Sequence, residues 1–315
     1  MILVTGATGI LGRVIVLELL KRGKTVRATK RKSSNLQEVR KSFQFYTETP
    51  NEYFDSIEWI EVDFEDIHSL QNALNGVEEV YHCAAKVSFH PKDEKKMYQT
   101  NIEGTKQLLF ACQNSSVKKF LFVSSIAVLD GLNENGELDE SSDFNPKIDH
   151  SAYAISKHFS EMEVWRASAE GLNTVIVNPG LIIGSGNWKE SSGTLFMEFE
   201  KNDYTFSGGT SYVDVRDVAQ ISIELMEKNI FGERFILISE NKKYQDVANF
   251  IKQKLGKQAV KLVPNVLLKT GVFLNSILGW LISPLKMANK VNIKSVTEFN
   301  KISNKKIKEK LNYQF

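Results

Sequence analysis

The chain has 315 residues with 42% hydrophobic and 25% charged residues, a composition that suits one large α/β domain or a large domain with a small one attached. The 40 basic and 38 acidic residues leave a formal net charge of +2, which gives no case for a nucleic-acid binder or a polyacidic partner. Two cysteines, Cys83 and Cys112, lie in apolar contexts; they argue against a disulfide framework or a zinc site and fit a reducing, cytoplasmic setting.

Ile2-Leu3-Val4 is an apolar run that predicts a buried strand, and its early start argues against a signal peptide. Thr5-Gly6-Ala7-Thr8-Gly9-Ile10-Leu11-Gly12 follows directly. From Arg13 the pattern becomes helical, with Val14, Leu17 and Leu20 joined by Ile15, Val16 and Leu19. Strand, glycine-rich turn and helix in this order form the entry to a dinucleotide-binding βαβ unit. One glycine makes the tight turn, one lets the backbone approach a pyrophosphate, and one lets helix and strand pack closely. The N–H groups and dipole at the helix start then favour a dianion. Gly6, Thr8, Gly9, Ile10, Leu11 and Gly12 are the candidate contacts.

Gly23 predicts a helix C-cap, and Thr25-Val26-Arg27-Ala28-Thr29 the second strand. It delivers Lys30-Arg31-Lys32-Ser33-Ser34, about twenty residues after the glycine loop, where an acidic residue would bind the ribose hydroxyl of NAD. No acid stands there. The Arg31 guanidinium suits a 2′-phosphate, which favours NADP over NAD. A helix is expected near Leu36–Ser42 and a loop around Pro50. Ile57 to Val62 predicts the third strand, with Asp63 and Phe64 at its carboxyl end as adenine-side contacts. Asp66 is a natural cap for the next helix, which ends at Gly76.

Glu79 to Cys83 predicts the fourth strand. His82 reads as a strand residue with a satisfied side chain rather than a catalyst. Ala84, Ala85 and Lys86 follow, small enough at the first two positions for a ribose or nicotinamide to approach the backbone. Asn101 is placed to brace neighbouring strand ends, and Gly104 marks close packing of its helix on the sheet. Lys119 to Val123 predicts the fifth strand, with Ser124-Ser125 at its end and a polar loop from 130 to 150 beyond.

A helix then opens through Ser151-Ala152-Tyr153-Ala154-Ile155-Ser156-Lys157. Tyr153 and Lys157 are four residues apart and share a face. A phenol has a pKa near 10. A nearby ammonium and an oxidised nicotinamide favour the phenolate, so such a tyrosine can exchange a proton with a carbonyl or alcohol oxygen. Ser125, with Ser124 as the alternative, is placed to hold the same oxygen.

Asn173 to Val177 predicts the sixth strand, followed by a rigid turn, Asn178-Pro179-Gly180, and Ile182; Pro179, Gly180 and Ile182 are candidate nicotinamide-side contacts. Residues 185–211, with Trp188, Phe196, Phe199 and Phe206, read as a mobile segment lining a substrate pocket. Asp214 is expected to cap a helix ending near Glu227, and Asp217 to orient a loop. Glu233 to Ile238 predicts a seventh strand, and Tyr244–Leu255 an amphipathic helix. Pro264 to Lys286 is unusually apolar, with Trp280, Leu281 and Ile282 among its residues, yet no apolar run in the chain reaches the ~18 residues of a membrane span. A helical lid, a buried helix, a dimer contact and a membrane-surface element are its readings. The tail from Lys301 reads as a solvated basic helix.

Taken together, Thr5 to Gly12, Thr25 to Arg31, Asp63, Ala84-Ala85, Asn101-x-x-Gly104-Thr105, Val123-Ser124-Ser125, Tyr153-x-x-x-Lys157, Asn178-Pro179-Gly180 and Val213 to Ala219 resemble the extended short-chain dehydrogenase/reductases of the NAD-dependent epimerase/dehydratase type. Within them the chain looks most like dihydroflavonol reductases and 3β-hydroxysteroid dehydrogenase-like proteins. The resemblance implies a Rossmann-type, doubly wound parallel sheet of about seven strands with a smaller, mostly helical C-terminal substrate-binding region. It also implies NADP contacts at the glycine loop and Arg31, a catalytic Ser125, Tyr153 and Lys157 set, and often a homodimer. The expected division is 1–180 for the dinucleotide-binding domain, with strand segments near 207–240 returning to it, and 181–206 with 241–315 for the substrate. The activity expected is hydride transfer between NADP and a carbonyl or secondary alcohol of an apolar small molecule. A nucleotide-sugar epimerase or dehydratase, and a non-catalytic dinucleotide-sensing protein, are the alternatives.

Overall fold

In the computed structural model, residues 1–186, 192–278 and 286–315 are described; Trp188, Trp280, Leu281 and Ile282 lie outside them. The strands are β1 (Ile2–Thr5), β2 (Val26–Lys30), β3 (Glu58–Glu61), β4 (Glu79–His82), β5 (Lys119–Val123), β6 (Asn173–Pro179), β7 (Leu181–Ile183), β8 (Tyr204–Thr205), β9 (Gly209–Asp214), β10 (Glu233–Leu237), β11 (Glu240–Lys243) and β12 (Lys261–Leu262). The helices are α1 (Ile10–Lys21), α2 (Leu36–Ser42), α3 (Pro50–Asp55), α4 (Ile67–Ala73), α5 (Glu94–Tyr98), α6 (Gly104–Gln113), α7 (Ala152–Ala169), α8 (Ser192–Lys201), α9 (Val215–Glu227), α10 (Tyr244–Lys254), α11 (Asn265–Leu278), α12 (Lys290–Thr297) and α13 (Lys305–Leu311).

Seven parallel strands form the central sheet in the order β10-β6-β5-β4-β1-β2-β3. Its central strands are apolar on both faces. Val4, Leu121, Val175 and Val177 enter the core shared with α1 and α9, while Leu3, Phe120, Phe122 and Ile176 enter the core under α4, α6 and α7. Strands covered on both sides must read this way, because alternate side chains meet opposite layers. The order reverses between β1 and β4, so a crevice opens at the carboxyl ends of these strands, where ligands of such sheets bind.

Local signals place the helix starts. Asn35, Asp66, Ser151 and Asp214 each accept a hydrogen bond from a backbone N–H of the first helical turn they precede. Pro50, expected in a loop, instead occupies the first position of α3, where its missing N–H costs nothing.

Several expectations need correction. Asn178 and Pro179 are the last two residues of β6, in register with Ile236 and Leu237 of β10, rather than a turn. Beyond them, the segment expected to be mobile carries α8, β8 and β9. Strand β9 does not return to the central sheet; it pairs with β7 and β11 in a separate three-stranded sheet, and only β10 returns. The tail helix α13 is not merely solvated. Ile307 and Leu311 are buried, Lys306 and Lys310 bridge Glu233, and the Tyr313 hydroxyl donates to Asp217 at 2.8 Å.

Candidate active site

The glycine loop is held by contacts that exclude side chains. Gly6 has φ +64°, and a Cβ there would lie 2.7 Å from the Ala84 nitrogen at the end of β4. A Cβ on Gly12 would lie 2.3 Å from the Gly6 carbonyl oxygen, so the first turn of α1 sits directly on the loop. Ile10 and Leu11 send their side chains into the core. Gly9 is the N-cap and no side chain satisfies the leading N–H groups of α1. A twelve-residue helix whose start is uncapped, approached through a loop without side chains, fits the pyrophosphate of a dinucleotide.

Arg13 is a residue that sequence reasoning missed. It is 2% exposed, and its guanidinium donates to the Gly9 oxygen at 3.1 Å, to the Gly186 oxygen at 2.9 Å and to the Thr8 oxygen, and pairs with Glu38. It ties the glycine loop to the segment after β7. The available signal was an arginine one turn into an apolar helix.

At the end of β2, Lys30 lies 3.5 Å from Glu61, whereas the Arg31 side chain is exposed and has no ion pair among the described residues. Asp63 is exposed and accepts from the Glu65 N–H at 2.9 Å. Phe64 packs against the His82 ring, 5.8 Å between centroids, and a Cβ on Gly104 would meet Phe64 at 3.3 Å. Gly104 therefore makes room for Phe64 rather than for the sheet. His82 is a satisfied core residue: its ring nitrogens lie 2.7 Å from the Thr5 hydroxyl and 3.0 Å from the Thr105 hydroxyl. Burial pushes its pKa down to about 3. Asn101 braces the loop after β4. It accepts from the Lys86 N–H at 2.7 Å and donates to the Lys86 oxygen and the Ser156 hydroxyl, both at 2.9 Å.

Ser125 and Tyr153 meet at the carboxyl end of β5, the Ser125 hydroxyl beside the phenol. The Ser125 hydroxyl also accepts from the Ala127 N–H at 3.1 Å. Ser124 is buried, its hydroxyl beside the Glu161 carboxyl and away from this pair. Lys157 is 2% exposed; its ammonium donates to the Val123 oxygen at 2.6 Å and lies 4.1 Å from the Phe122 ring centre. Burial pushes its pKa down to about 7, against the opposing charge of Glu161. The expectation that Lys157 lowers the Tyr153 phenol is not met in the chain by itself. Burial raises that phenol, only the neighbouring Ser125 hydroxyl opposes the rise, and the Lys157 ammonium is engaged with Val123.

A second polar layer lies behind these groups. The Asn178 amide donates to the Ser125 oxygen at 3.1 Å and to the buried Glu161 carboxylate at 2.6 Å, and Arg234 lies 3.7 Å from the other carboxylate oxygen. Pro179 is buried beside it. A Cβ on Gly180 would lie 2.4 Å from the Ser211 oxygen, so the chain crosses tightly there into β7, where Ile182 is half-buried opposite Val213.

Lys157 makes stability pH-dependent. Its folded pKa lies below the ordinary value of 10.5, so the unfolded chain holds the extra proton between about 7 and 10.5, and stability rises with pH across that window. Lys157→Met is expected to raise the unfolding free energy of the ligand-free protein, read from urea denaturation below pH 7, by on the order of a few kcal/mol. The gain should shrink steadily toward pH 10. A pH-independent difference would show that the ammonium carries no burial penalty.

Comparison with known proteins fits this geometry. A model of the NAD dependent epimerase/dehydratase family matches residues 2–237. The chain belongs to that family. As a member of the extended short-chain dehydrogenase/reductase type, it is an NAD(P)-dependent reductase or dehydrogenase. This family member is 29% identical over 275 residues to sterol demethylase protein B of Methylococcus capsulatus, covering 86% of this chain and 80% of the relative. It is 27% identical over 266 residues to dihydroflavonol 4-reductase of Arabidopsis thaliana, covering 80% and 68%. Its fold matches that of a UDP-glucose 4-epimerase from Thermotoga maritima with a TM-score of 0.75, at 22% identity, over 99% of this chain and 93% of that one. Among the described residues, no cluster of His, Cys, Asp and Glu is arranged to hold a metal, and no helix is long and apolar enough to cross a membrane.

Proposed function

We propose that the protein is an NADP-dependent reductase acting on a carbonyl, or in reverse on a secondary alcohol, of an apolar small molecule. The observation that carries this reading is the placement of the Ser125 hydroxyl beside the Tyr153 phenol at the end of β5. That strand is two places from β1 and its glycine loop in the sheet. Bound NADPH supplies the hydride for the carbonyl carbon. The Tyr153 phenol donates its proton to the carbonyl oxygen, and the Ser125 hydroxyl donates a hydrogen bond to the same oxygen. Burial keeps the phenol protonated at neutral pH, the form that reduction consumes. Lys157 fixes the end of β5 through Val123 and supplies positive charge beneath the site. Gly6, Thr8, Gly9, Ile10, Leu11 and Gly12 are the pyrophosphate contacts in this reading. Asp63 and Phe64 flank the adenine, Ala84, Ala85, Lys86 and Asn101 the ribose, and Pro179, Gly180 and Ile182 the nicotinamide.

The choice of NADP rests on Arg31, exposed and without an ion pair where a 2′-phosphate would lie. Arg31→Ala is expected to weaken NADPH binding about 10- to 100-fold, the worth of a charge-assisted contact, and to leave NADH binding unchanged. Fluorescence titration with both cofactors measures this. A wild-type preference for NADH would overturn the assignment. The relatives named as dihydroflavonol 4-reductase and sterol demethylase protein B support an apolar substrate. Conversion of a nucleotide sugar without net change in NADPH would favour the epimerase reading instead.

A further inference from the structure

We propose that Glu161 is a positioning residue of the site: a buried carboxylate, tied to the Ser125 end of β5 through Asn178, that serves as the counter-charge of the Lys157 ammonium. Its effect on turnover rests on the reductase reading; the pairing of the two charges does not. Glu161 lies one turn beyond Lys157 on α7, and the two residues are 3% and 2% exposed. Residues four apart share one face of a helix, so both charges are carried into the same interior.

A carboxylate this deep costs free energy unless donors surround it. The Asn178 amide donates to one oxygen at 2.6 Å, the Arg234 guanidinium lies 3.7 Å from the other, and the Ser124 hydroxyl is beside them. An amide NH2 and a guanidinium can only donate, which suits the anion rather than the protonated acid. Burial pushes the carboxyl up, and these groups together with the Lys157 charge oppose the rise. Both oxygens are fixed from behind. The same Asn178 amide donates to the Ser125 oxygen at 3.1 Å. Arg234 is held by the loop after β5, donating to the Glu140 and Ser142 oxygens at 3.0 and 2.9 Å and to the Asp143 carboxylate at 3.1 Å.

A packing contact alone would need no charge here; Lys157 supplies the reason for one. The other titratable groups that face the ammonium are Tyr153 one turn before it on α7, and His82 and Cys83 at the end of β4. Burial pushes the Cys83 thiol up to about 12 and His82 down to about 3, and it raises the Tyr153 phenol, so all three are neutral near pH 7. Glu161 is left as the charge that favours the ammonium against its burial. Among the described residues the two make no direct ion pair. Asn178 and Arg234 keep the carboxylate in place, and the ammonium keeps its bond to the Val123 oxygen at 2.6 Å. The carboxylate thus sustains the positive charge under the site without drawing Lys157 off the end of β5.

NMR titration of the full chain, isotope-labelled at lysine Cε, tests the pairing without using turnover; the Lys157 signal is the one absent from Lys157→Met. Glu161→Gln keeps the shape and an oxygen for Asn178 but removes the charge, so Lys157 should titrate about one unit or more below wild type. Glu161→Asp, which keeps the charge, should lie closer to wild type. Equal titration of Lys157 in wild type and Glu161→Gln overturns the proposal. If Glu161→Gln does not fold, labelling of the glutamate carboxyl carbons decides it in the wild type. Glu161 must be ionised where Lys157 titrates, and its signal must move again as Lys157 loses its proton; a carboxyl that stays protonated across that range overturns the proposal. With a ketone that the wild type reduces, Glu161→Gln should lose about fivefold more kcat at about pH 8 than at about pH 6, with NADPH affinity nearly unchanged. An equal loss at both would mark a merely structural role and contradict the proposal. Absence of wild-type turnover would instead remove the reductase reading, and the lysine titration would still decide the pairing.

Discussion

Tyr153→Phe is expected to lower kcat for NADPH-dependent carbonyl reduction by about 10²- to 10⁴-fold, the range over which a positioned acid contributes, with NADPH affinity nearly unchanged. The reason lies in the position of the lost atom. The phenol oxygen lies beside the Ser125 hydroxyl, while the ring is carried by the first turn of α7, capped by Ser151. Removing one oxygen leaves the helix start, the Ser125 cap on Ala127 and the glycine loop in place. It removes the only proton donor that the proposed mechanism provides. Ser125→Ala should cost less, because the phenol keeps its proton and the substrate oxygen loses a single hydrogen bond. Steady-state kinetics of the three proteins at matched pH give the comparison. Equal turnover by wild type and Tyr153→Phe would remove the tyrosine from the chemistry.

Gly12→Ala is the second large effect, and it acts on fold and cofactor together. The added methyl would lie 2.3 Å from the Gly6 oxygen and 2.9 Å from the Ala7 Cα, both backbone atoms with no freedom to rotate away. The first turn of α1 must lift from the loop, which costs about 1–3 kcal/mol by analogy with overpacked cores. The same movement withdraws the leading N–H groups from the phosphate position, so NADPH affinity should fall by about tenfold or more. Gly9→Ala provides the contrast. Its nearest obstacle would be the Gly6 oxygen at 3.2 Å, so stability should change little while cofactor binding weakens. Urea denaturation with and without NADPH separates the two terms. If Gly12→Ala matched wild type in both, the tight seating of α1 on the loop would be wrong.

Features encoded by local pattern were legible in the sequence. The apolar runs of the central strands, the glycine loop, the caps at Asp66 and Asp214, and the structural role of His82 all follow from residue type and spacing. What was not legible depends on partners distant in the chain. Asn178-Pro179 looks like a turn until β10 pairs with it, some sixty residues later; β5 ends opposite Val177, so the missing proline N–H has no strand to serve on that side. The pairing of β9 with β7 and β11, and of β8 with β12, likewise requires segments with no shared local signal. In the tail, the basic charges obscured the two apolar anchors, Ile307 and Leu311.

The site divides in the same way. Ser125 and Tyr153 could be paired from the strand–helix order. The engagement of Lys157 with Val123, the Arg13 clamp and the Glu161–Asn178–Ser125 layer could not, since each depends on a carbonyl or carboxylate brought in by the tertiary fold. The correction at Lys157 also changes the chemical account. In the chain itself the lysine holds the end of β5, and burial keeps Tyr153 in its acid form.

Transfer of deuterium from NADPH labelled at the nicotinamide C4 tests the central claim most directly, using a panel of apolar ketones and aldehydes and mass spectrometry of the alcohols formed. Wild type should place one deuterium on the carbinol carbon of at least one substrate, and Tyr153→Phe, with its NADPH site intact, should place almost none. No labelled alcohol from any substrate, or equal labelling by wild type and Tyr153→Phe, would contradict the account.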